Sequence, residues 1–366
     1  MQTLFDYIDW RGDLPFSRDP LNPVDCLIFS VLAYIPFDGL ISSKTTRKGI
    51  PLAEAAERFF SDRENRPPIR EPKDVELLAA MTESERFSRV LLTAYESETD
   101  PRSEKQFSAI TALPARNTVC VIFRGTDLSL TGWKEDFNMS FKCPVPAQEE
   151  AVRYLERVAP RLPGKIIVTG HSKGGNLAVY ASAFCSRKTQ KRIEVVYSND
   201  GPGFNRETIN RKEYTEIRNR IRSFIPHSSI IGLLLEHEED ITIIQSSAAG
   251  GLLQHDPYSW QILGTGFIER EMLTGDSIRI DRTIKTWLER ISPAERELFV
   301  DTLFGVLTAT GAATVTELSE NWLKSALAIG KTLKNLDPAT RKILYDILGE
   351  IVRAAAETGR SPKKKT

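Results

Sequence analysis

The six residues Gly170-His171-Ser172-Lys173-Gly174-Gly175 constrain this chain more than any other stretch. They stand between Ile166-Ile167-Val168-Thr169, an apolar run of buried-strand type, and the alanine-rich run Asn176 to Ala183, which reads as a helix. A chain that passes from strand to helix in so few residues must turn sharply. Side chains two positions either side of the central serine would then collide with its backbone, and Gly170 and Gly174 remove that collision. The turn lifts the Ser172 hydroxyl above the sheet edge and aims the first N–H groups of the helix, that of Lys173 included, at an approaching carbonyl oxygen or anion. A phosphate loop would need the frame G-x-x-x-x-G-K-S/T, which is absent here, so the stretch reads as a nucleophile elbow.

The surrounding pattern agrees with a strand-to-helix turn at a sheet edge. Gln106 to Leu113 and Val119 to Phe123 flank the turn-forming Pro114-Ala115-Arg116-Asn117, which predicts strand, turn, strand. A helix over about 147–161 leads into the strand before the elbow, and Arg192 to Ser198, Ile221 to Ile225 and Ile241 to Gln245 continue as strands, with Trp260-Gln261-Ile262-Leu263 as a last candidate. Alternating strands and helices predict an α/β fold, a mostly parallel sheet covered on both faces, and the nucleophile elbow set in it makes the expected type the α/β-hydrolase fold. Before it, 23–35 reads as an apolar helix with Pro23 in its first turn, Pro51 to Phe60 as a helix, Ser61 to Lys73 as a connection, and about 84–96 as another helix. Beyond 277 the chain reads as helices only, opened at Asp276/Ser277, Ser292-Pro293 and Asp337-Pro338. The expected organisation is an N-terminal helical segment over 1–100 packed on a hydrolase core over 101–270, followed by a helical region over 277–360.

A serine nucleophile needs a base, and the 366 residues contain four histidines, His171, His227, His237 and His255. His171 sits inside the elbow and points away from the hydroxyl, so it reads as a brace of the turn. His255 lies late, in Gln254-His255-Asp256-Pro257-Tyr258, on a loop between strands, and fits the chain order serine, acid, histidine. It is the favoured base; His227 and His237 read as surface or supporting residues. The acid is expected at Asp200, which follows the strand after the elbow helix, with Asp240, Glu239 and Asp256 as competitors. Asn199-Asp200-Gly201-Pro202-Gly203 is equally a good turn sequence. Phe123-Arg124-Gly125-Thr126 ends an earlier strand, and Thr126 offers a backbone N–H and a hydroxyl for the second half of an oxyanion hole opposite Lys173.

Composition excludes some partners. Lys and Arg number 49 against 49 Asp and Glu, so no net field favours nucleic acid or an acidic surface, and the expected partner is a small-molecule or lipid acyl compound chosen by a pocket. The four cysteines are scattered, with no metal-ligand spacing, and no cofactor is expected. The acid-containing N-terminus lacks a secretory signal pattern and no stretch has transmembrane length, which places the expected location in the cytoplasm. The basic end Ser361 to Thr366 reads as a solvated terminus.

Together these residues resemble the class 3, fungal-type lipases, in which an F-R-G-T/S strand end and a G-H-S-x-G elbow recur. Phe123 to Thr126, Gly170 to Gly174, and His255 with Tyr258 match those patterns. The chain is more closely similar to the Mbeg-like bacterial hydrolases, through Trp133-Lys134-Glu135-Asp136-Phe137-Asn138, Gly170 to Asn176, Asn199 to Phe204 and Gln254-His255-Asp256. The resemblance covers about 20–265 and implies a serine esterase or lipase with Ser172, His255 and Asp200 as its triad. One departure stands out: class 3 lipases carry the acid after the strand that here is Ile221 to Ile225, yet Pro226-His227-Ser228-Ser229-Ile230-Ile231-Gly232 holds no carboxylate.

Several readings stay open. Asp127 to Phe141, with Leu128, Leu130, Trp133, Phe137 and Met139, serves equally as an apolar lid or as a core-packing helix. The Lys173 side chain reads as a selector of acidic headgroups or as a solvated helix-start lysine. The same triad suits a thioesterase or acyltransferase, and a silent hydrolase fold would serve as a scaffold that docks a protein partner through its C-terminal helices.

Overall fold

The computed structural model describes residues 2–61, 68–127, 129–249 and 251–309, with isolated positions 311, 313, 338 and 342. Helix α1 (Leu4–Arg11) opens with a reciprocal cap between Thr3 and Asp6. In α2 (Pro23–Leu32) Asn22 caps the N–H groups of Val24 and Asp25, Pro23 fills the first turn, and every later residue is buried, as a helix apolar all round must be. Next come β1 (Ile50–Pro51), α3 (Leu52–Ser61), α4 (Pro72–Glu83) and α5 (Glu85–Ser88). Arg86 of α5 makes a two-pronged bond to Asp25 of α2, at 2.8 and 2.6 Å, wholly out of solvent.

The helix expected over about 84–96 is replaced by α5 and by β2 (Leu91–Asp100). Val90 to Tyr95 is apolar on both sides, which periodicity alone cannot assign to helix or strand. The partner decides: β3 (Lys105–Ala115) takes β2 antiparallel from Leu91↔Leu113 to Asp100↔Lys105, with a bulge between Thr93 and Glu96. The longer helix before β2 is α4, separated from it by the short α5, and it begins inside the stretch expected as a connection.

The chain continues through β4 (Thr118–Phe123), α6 (Leu130–Asn138), α7 (Pro146–Val158), β5 (Lys165–His171), α8 (Lys173–Phe184), α9 (Arg187–Gln190) and β6 (Ile193–Asn199). It goes on with α10 (Arg206–Ile209), α11 (Lys212–Ile217), β7 (Ile221–Pro226) and β8 (Asp240–Ile244). These eight strands form one sheet in sequence order, antiparallel as far as β4 and parallel from β4 to β8. Trp260 to Leu263 does not extend it: β9 (Ile262–Leu263) pairs with β10 (Gly266–Phe267) as a separate hairpin.

Alternation along the strands builds two cores. Cys120, Ile122 and Ile167 face α2 and the other N-terminal helices, whereas Val119, Val121, Phe123, Ile166 and Val168 face α7 and α8. Helices thus cover both faces, and the carboxyl ends of β4, β5, β6 and β7 lie side by side, with Phe123 opposite Gly170 and His171 opposite Asn199. This is the α/β-hydrolase fold.

Two further helices follow: α13 (Pro293–Thr308) starts at Ser292-Pro293 as expected, whereas α12 (Gly275–Arg290) is capped by Thr274, just before the expected Asp276/Ser277. Of the third expected start, only Pro338 is described, in helical conformation. Helix α13 packs on α6 through Phe304 against Phe137 at 5.6 Å and Asp301 on Lys134 at 2.8 Å. Among the described residues no helix is long and apolar enough to cross a membrane.

Candidate active site

Ser172 joins β5 to α8 with φ 60° and ψ −133°, a conformation side chains rarely adopt and one held only where the surroundings enforce it. Close packing supplies the enforcement. A Cβ on Gly170 would collide with the backbone of Gly174, and one on Gly174 with the carbonyl of Phe123, so the elbow is pressed against the end of β4. Ser172 is half-buried, and its hydroxyl makes no hydrogen bond to a described residue. The backbone N–H groups of Thr126 and Lys173 likewise have no acceptor among the described residues.

Asp200 and His255, 55 residues apart, are brought together. His255 Nδ1 lies 2.7 Å from Asp200 Oδ2, with the carboxylate wholly buried and the imidazole 22 % exposed. Asp200 also accepts from the Ser229 hydroxyl at 2.7 Å and from the Gly232 N–H at 3.1 Å. The loop that lacks a carboxylate therefore holds the one presented by the neighbouring strand. With Nδ1 on Asp200, Nε2 is the imidazole nitrogen left without a protein partner among the described residues. No hydrogen bond joins it to the Ser172 hydroxyl.

The competing acids have other partners. Glu239 binds His237 Nδ1 at 2.8 Å, Asp240 meets Arg222 at 3.3 Å, and Asp256 caps the N–H of Tyr258. His237 is half-buried, its imidazole paired with Glu239. His227 Nε2 accepts from Gln254 at 3.3 Å, beside the His255 loop. Tyr258 gives its hydroxyl to Asp74 on α4 at 2.9 Å.

His171 holds the loop that carries His255. Its Nε2 lies 2.9 Å from the His255 carbonyl, and because a carbonyl only accepts, that nitrogen carries the proton. Nδ1 then accepts from the Tyr34 hydroxyl at 3.1 Å. The two imidazoles overlap with centroids 4.5 Å apart. Burial, and next the neighbouring His255, hold the His171 pKa well below its usual value, which keeps the ring neutral. Gln254 completes the brace, its side chain taking the Ser228 N–H at 2.8 Å and its carbonyl the Trp260 indole N–H at 3.0 Å.

Both readings of the Lys173 side chain are overturned. It is neither solvated nor presented to a headgroup but runs inward, 2 % exposed, to Glu135 at 2.7 Å and Gln106 at 3.1 Å. Glu135, fully buried on α6, also accepts the N–H groups of Gln106 at 2.9 Å and Ala147 at 2.7 Å. The same bonds decide α6 in favour of the packing reading over the lid, since its carboxylate is tied to three neighbouring elements; Leu128 lies outside the described residues. The Thr126 hydroxyl is turned to Asp136 rather than to the pocket, leaving the backbone N–H as its free donor. Burial raises the Asp136 pKa to about 6 against the pull of Lys173 and Thr126. Sequence reasoning missed Glu135, Ser229, Gly232 and Tyr34 as neighbours of the site. Only Glu135 left a trace, as an acid within the amphipathic Trp133 to Asn138.

The sheet order, the strained serine at a strand-to-helix turn and the buried acid–histidine pair define a protein of α/β-hydrolase architecture. A family model described as Mbeg1-like matches residues 81–305, and the chain belongs to that family. A search of curated proteins finds no match. Among solved structures the chain is similar to a deletion mutant of the Rhizomucor miehei lipase propeptide complex, at 14 % identity over 52 % of this chain and 71 % of that one, with a TM-score of 0.37. The native form of that complex shows 12 % identity over 66 % and 80 %, TM-score 0.35. M37 lipase shows 15 % over 57 % and 68 %, TM-score 0.33. These likenesses are distant, and the fold rests on the sheet order and the elbow.

Proposed function

We propose that the protein is a serine hydrolase that cleaves carboxylic esters, with Ser172 as nucleophile, His255 as general base and Asp200 as the acid that orients it. The observation that carries this reading is the 2.7 Å contact between His255 Nδ1 and the buried Asp200 carboxylate. It fixes the tautomer, leaving Nε2 unprotonated and ready to take a proton. One residue ties the loop of that ring to the elbow, because His171, just before Ser172, binds the carbonyl of His255 itself.

In the first half-reaction Ser172 Oγ attacks the ester carbonyl while its proton passes to His255 Nε2. The Thr126 and Lys173 N–H groups receive the charge that develops on the carbonyl oxygen. Collapse expels the alcohol, which takes the proton from Nε2, and leaves an acyl-serine. Water then gives a proton to Nε2 and attacks the acyl carbon, and Ser172 Oγ leaves with that proton from Nε2 as the carboxylic acid is released. The serine–imidazole bond closes as substrate fills the site, a tightening common to hydrolases seen without ligand. Leu253, an exposed apolar side chain two residues before His255, suits contact with an apolar acyl chain.

The test is turnover of a graded series of p-nitrophenyl esters by the wild type and by Ser172→Ala. Release of p-nitrophenol by the wild type alone supports the reading. Equal rates from both would refute it.

A further inference from the structure

We infer that Lys173 is a positioning residue whose buried ammonium ties the two halves of the oxyanion hole to each other, a step that rests on the Ser172 reading above. Lys173 is the first residue of α8, where the helix dipole already presents its positive end, so a cation there is unfavourable unless it is answered. Burying it adds a desolvation cost that an apolar side chain of equal length would avoid. The chain nevertheless encloses it and sets against it the Glu135 carboxylate, also fully enclosed, at 2.7 Å. Filling space does not require such a pair.

The geometry shows what the pair connects. Lys173 supplies one oxyanion donor through its own backbone N–H, immediately after Ser172. Its Nζ lies 3.7 Å from Asp136 Oδ1, and the other oxygen of that carboxylate accepts the hydroxyl of Thr126, whose N–H is the second donor. A closed circuit therefore runs from the elbow through the lysine side chain and Asp136 to the end of β4. Helix α6 closes it with two successive carboxylates, Glu135 for the ammonium and Asp136 for the threonine. Glu135 also fixes α6 to β3 through the Gln106 N–H and to the start of α7 through the Ala147 N–H, so the circuit is mounted on the rigid sheet. Donors held this way need no reorganisation when the oxyanion forms.

The test uses the double variant Lys173→Met/Glu135→Gln, which keeps side-chain length while removing both charges, so no unpaired ion is left buried. Melting temperature, kcat and KM on a p-nitrophenyl ester, and the affinity for an alkyl boronate, which forms a tetrahedral adduct on serine, are compared with wild type. The expected result is a folded protein with KM within about twofold, and with kcat and boronate affinity both lowered by roughly ten- to a hundredfold. Wild-type kcat and boronate affinity in a folded double variant would overturn the inference. Should the double variant fail to fold, Asp136→Asn, which breaks the ionic link to Lys173 but keeps an acceptor for Thr126, is expected to show the same split. Amide hydrogen exchange at Thr126 and Lys173 reads the circuit without turnover. Faster exchange in the variants supports it, and unchanged exchange counts against it even if the wild type hydrolyses no ester, an outcome that would sink the Ser172 reading separately.

Discussion

Ser229 donates its hydroxyl to Asp200 Oδ2 at 2.7 Å, from the loop after β7. That loop holds no carboxylate of its own and instead donates hydrogen bonds to the one at the end of β6. Together with the Gly232 N–H and the His255 imidazole, this surrounds a fully buried charge with three donors. Such a charge is tolerated because every bond it makes is charge-assisted.

Ser229→Ala leaves Asp200 with two donors and its aspartate–histidine contact less constrained. We expect kcat to fall by about three- to thirtyfold with KM nearly unchanged, because one charged-group hydrogen bond of about 1.5–3 kcal/mol is lost only in part from the reacting geometry. Steady-state kinetics beside a thermal melt checks this; an unaltered kcat would show that Ser229 does not hold the acid.

Asp200→Asn retains the shape of the acid but removes its charge and favours the wrong imidazole tautomer. The expected loss is on the order of 10⁴ in kcat. A near-wild-type rate would move the role to another carboxylate, Asp256 first, since it adjoins His255.

Gly232 allows the acid loop to close on Asp200, because a Cβ there would run into Asp200 Oδ1. Gly232→Ala is therefore expected to cost more activity than Ser229→Ala, through displacement of the carboxylate rather than loss of one bond. Comparing the two variants on one ester gives the order directly.

His171 provides a pH test with a defined sign. Its folded-state pKa lies well below 6.5, so the unfolded chain takes up a proton that the folded chain refuses, and stability falls as pH drops through 6.5. His171→Phe removes that uptake along with the bond to the His255 carbonyl. Urea melts at pH 7.5 and 5 are expected to show a smaller acid loss for the variant than for wild type, while its kcat falls at both.

Glu239 titrates in the same sense, over a lower pH range. Burial works to raise its pKa, yet bonds from His237, Ser223 and Tyr214 prevail and hold it at about 2 against an ordinary 4.5. The depressed value contributes roughly 3 kcal/mol that is present above pH 4.5 and lost as pH falls toward 2. Glu239→Gln should be less stable than wild type at pH 7, with the gap closing below pH 4.5. A gap independent of pH would contradict this.

Much of the sheet and the elbow was legible because strand period, helix composition and glycine placement agree between Thr118 and Ser198. Ser172, His255 and Asp200 follow from chain order in such a fold, and the structure brings the last two into contact. What escaped was decided between distant segments. Leu91 to Tyr95 looks helical until β3 is there to pair with it. A lysine after the nucleophile looks solvated until Glu135, 38 residues earlier, is seen to meet it. Ser229 carries no local mark of its bond to Asp200. Neither α12 nor α13 could be placed from its caps, since the caps fix where a helix begins but not that Phe304 meets Phe137.

The central claim is that Ser172 is an activated nucleophile, and its most direct test is the site of covalent capture by an alkyl fluorophosphonate. The account predicts one adduct per chain on the peptide bearing Ser172, formed by the native protein, greatly slowed in Asp200→Asn and absent from Ser172→Ala. A folded wild type that takes up no label, or a label that persists when Ser172 is removed, would contradict it.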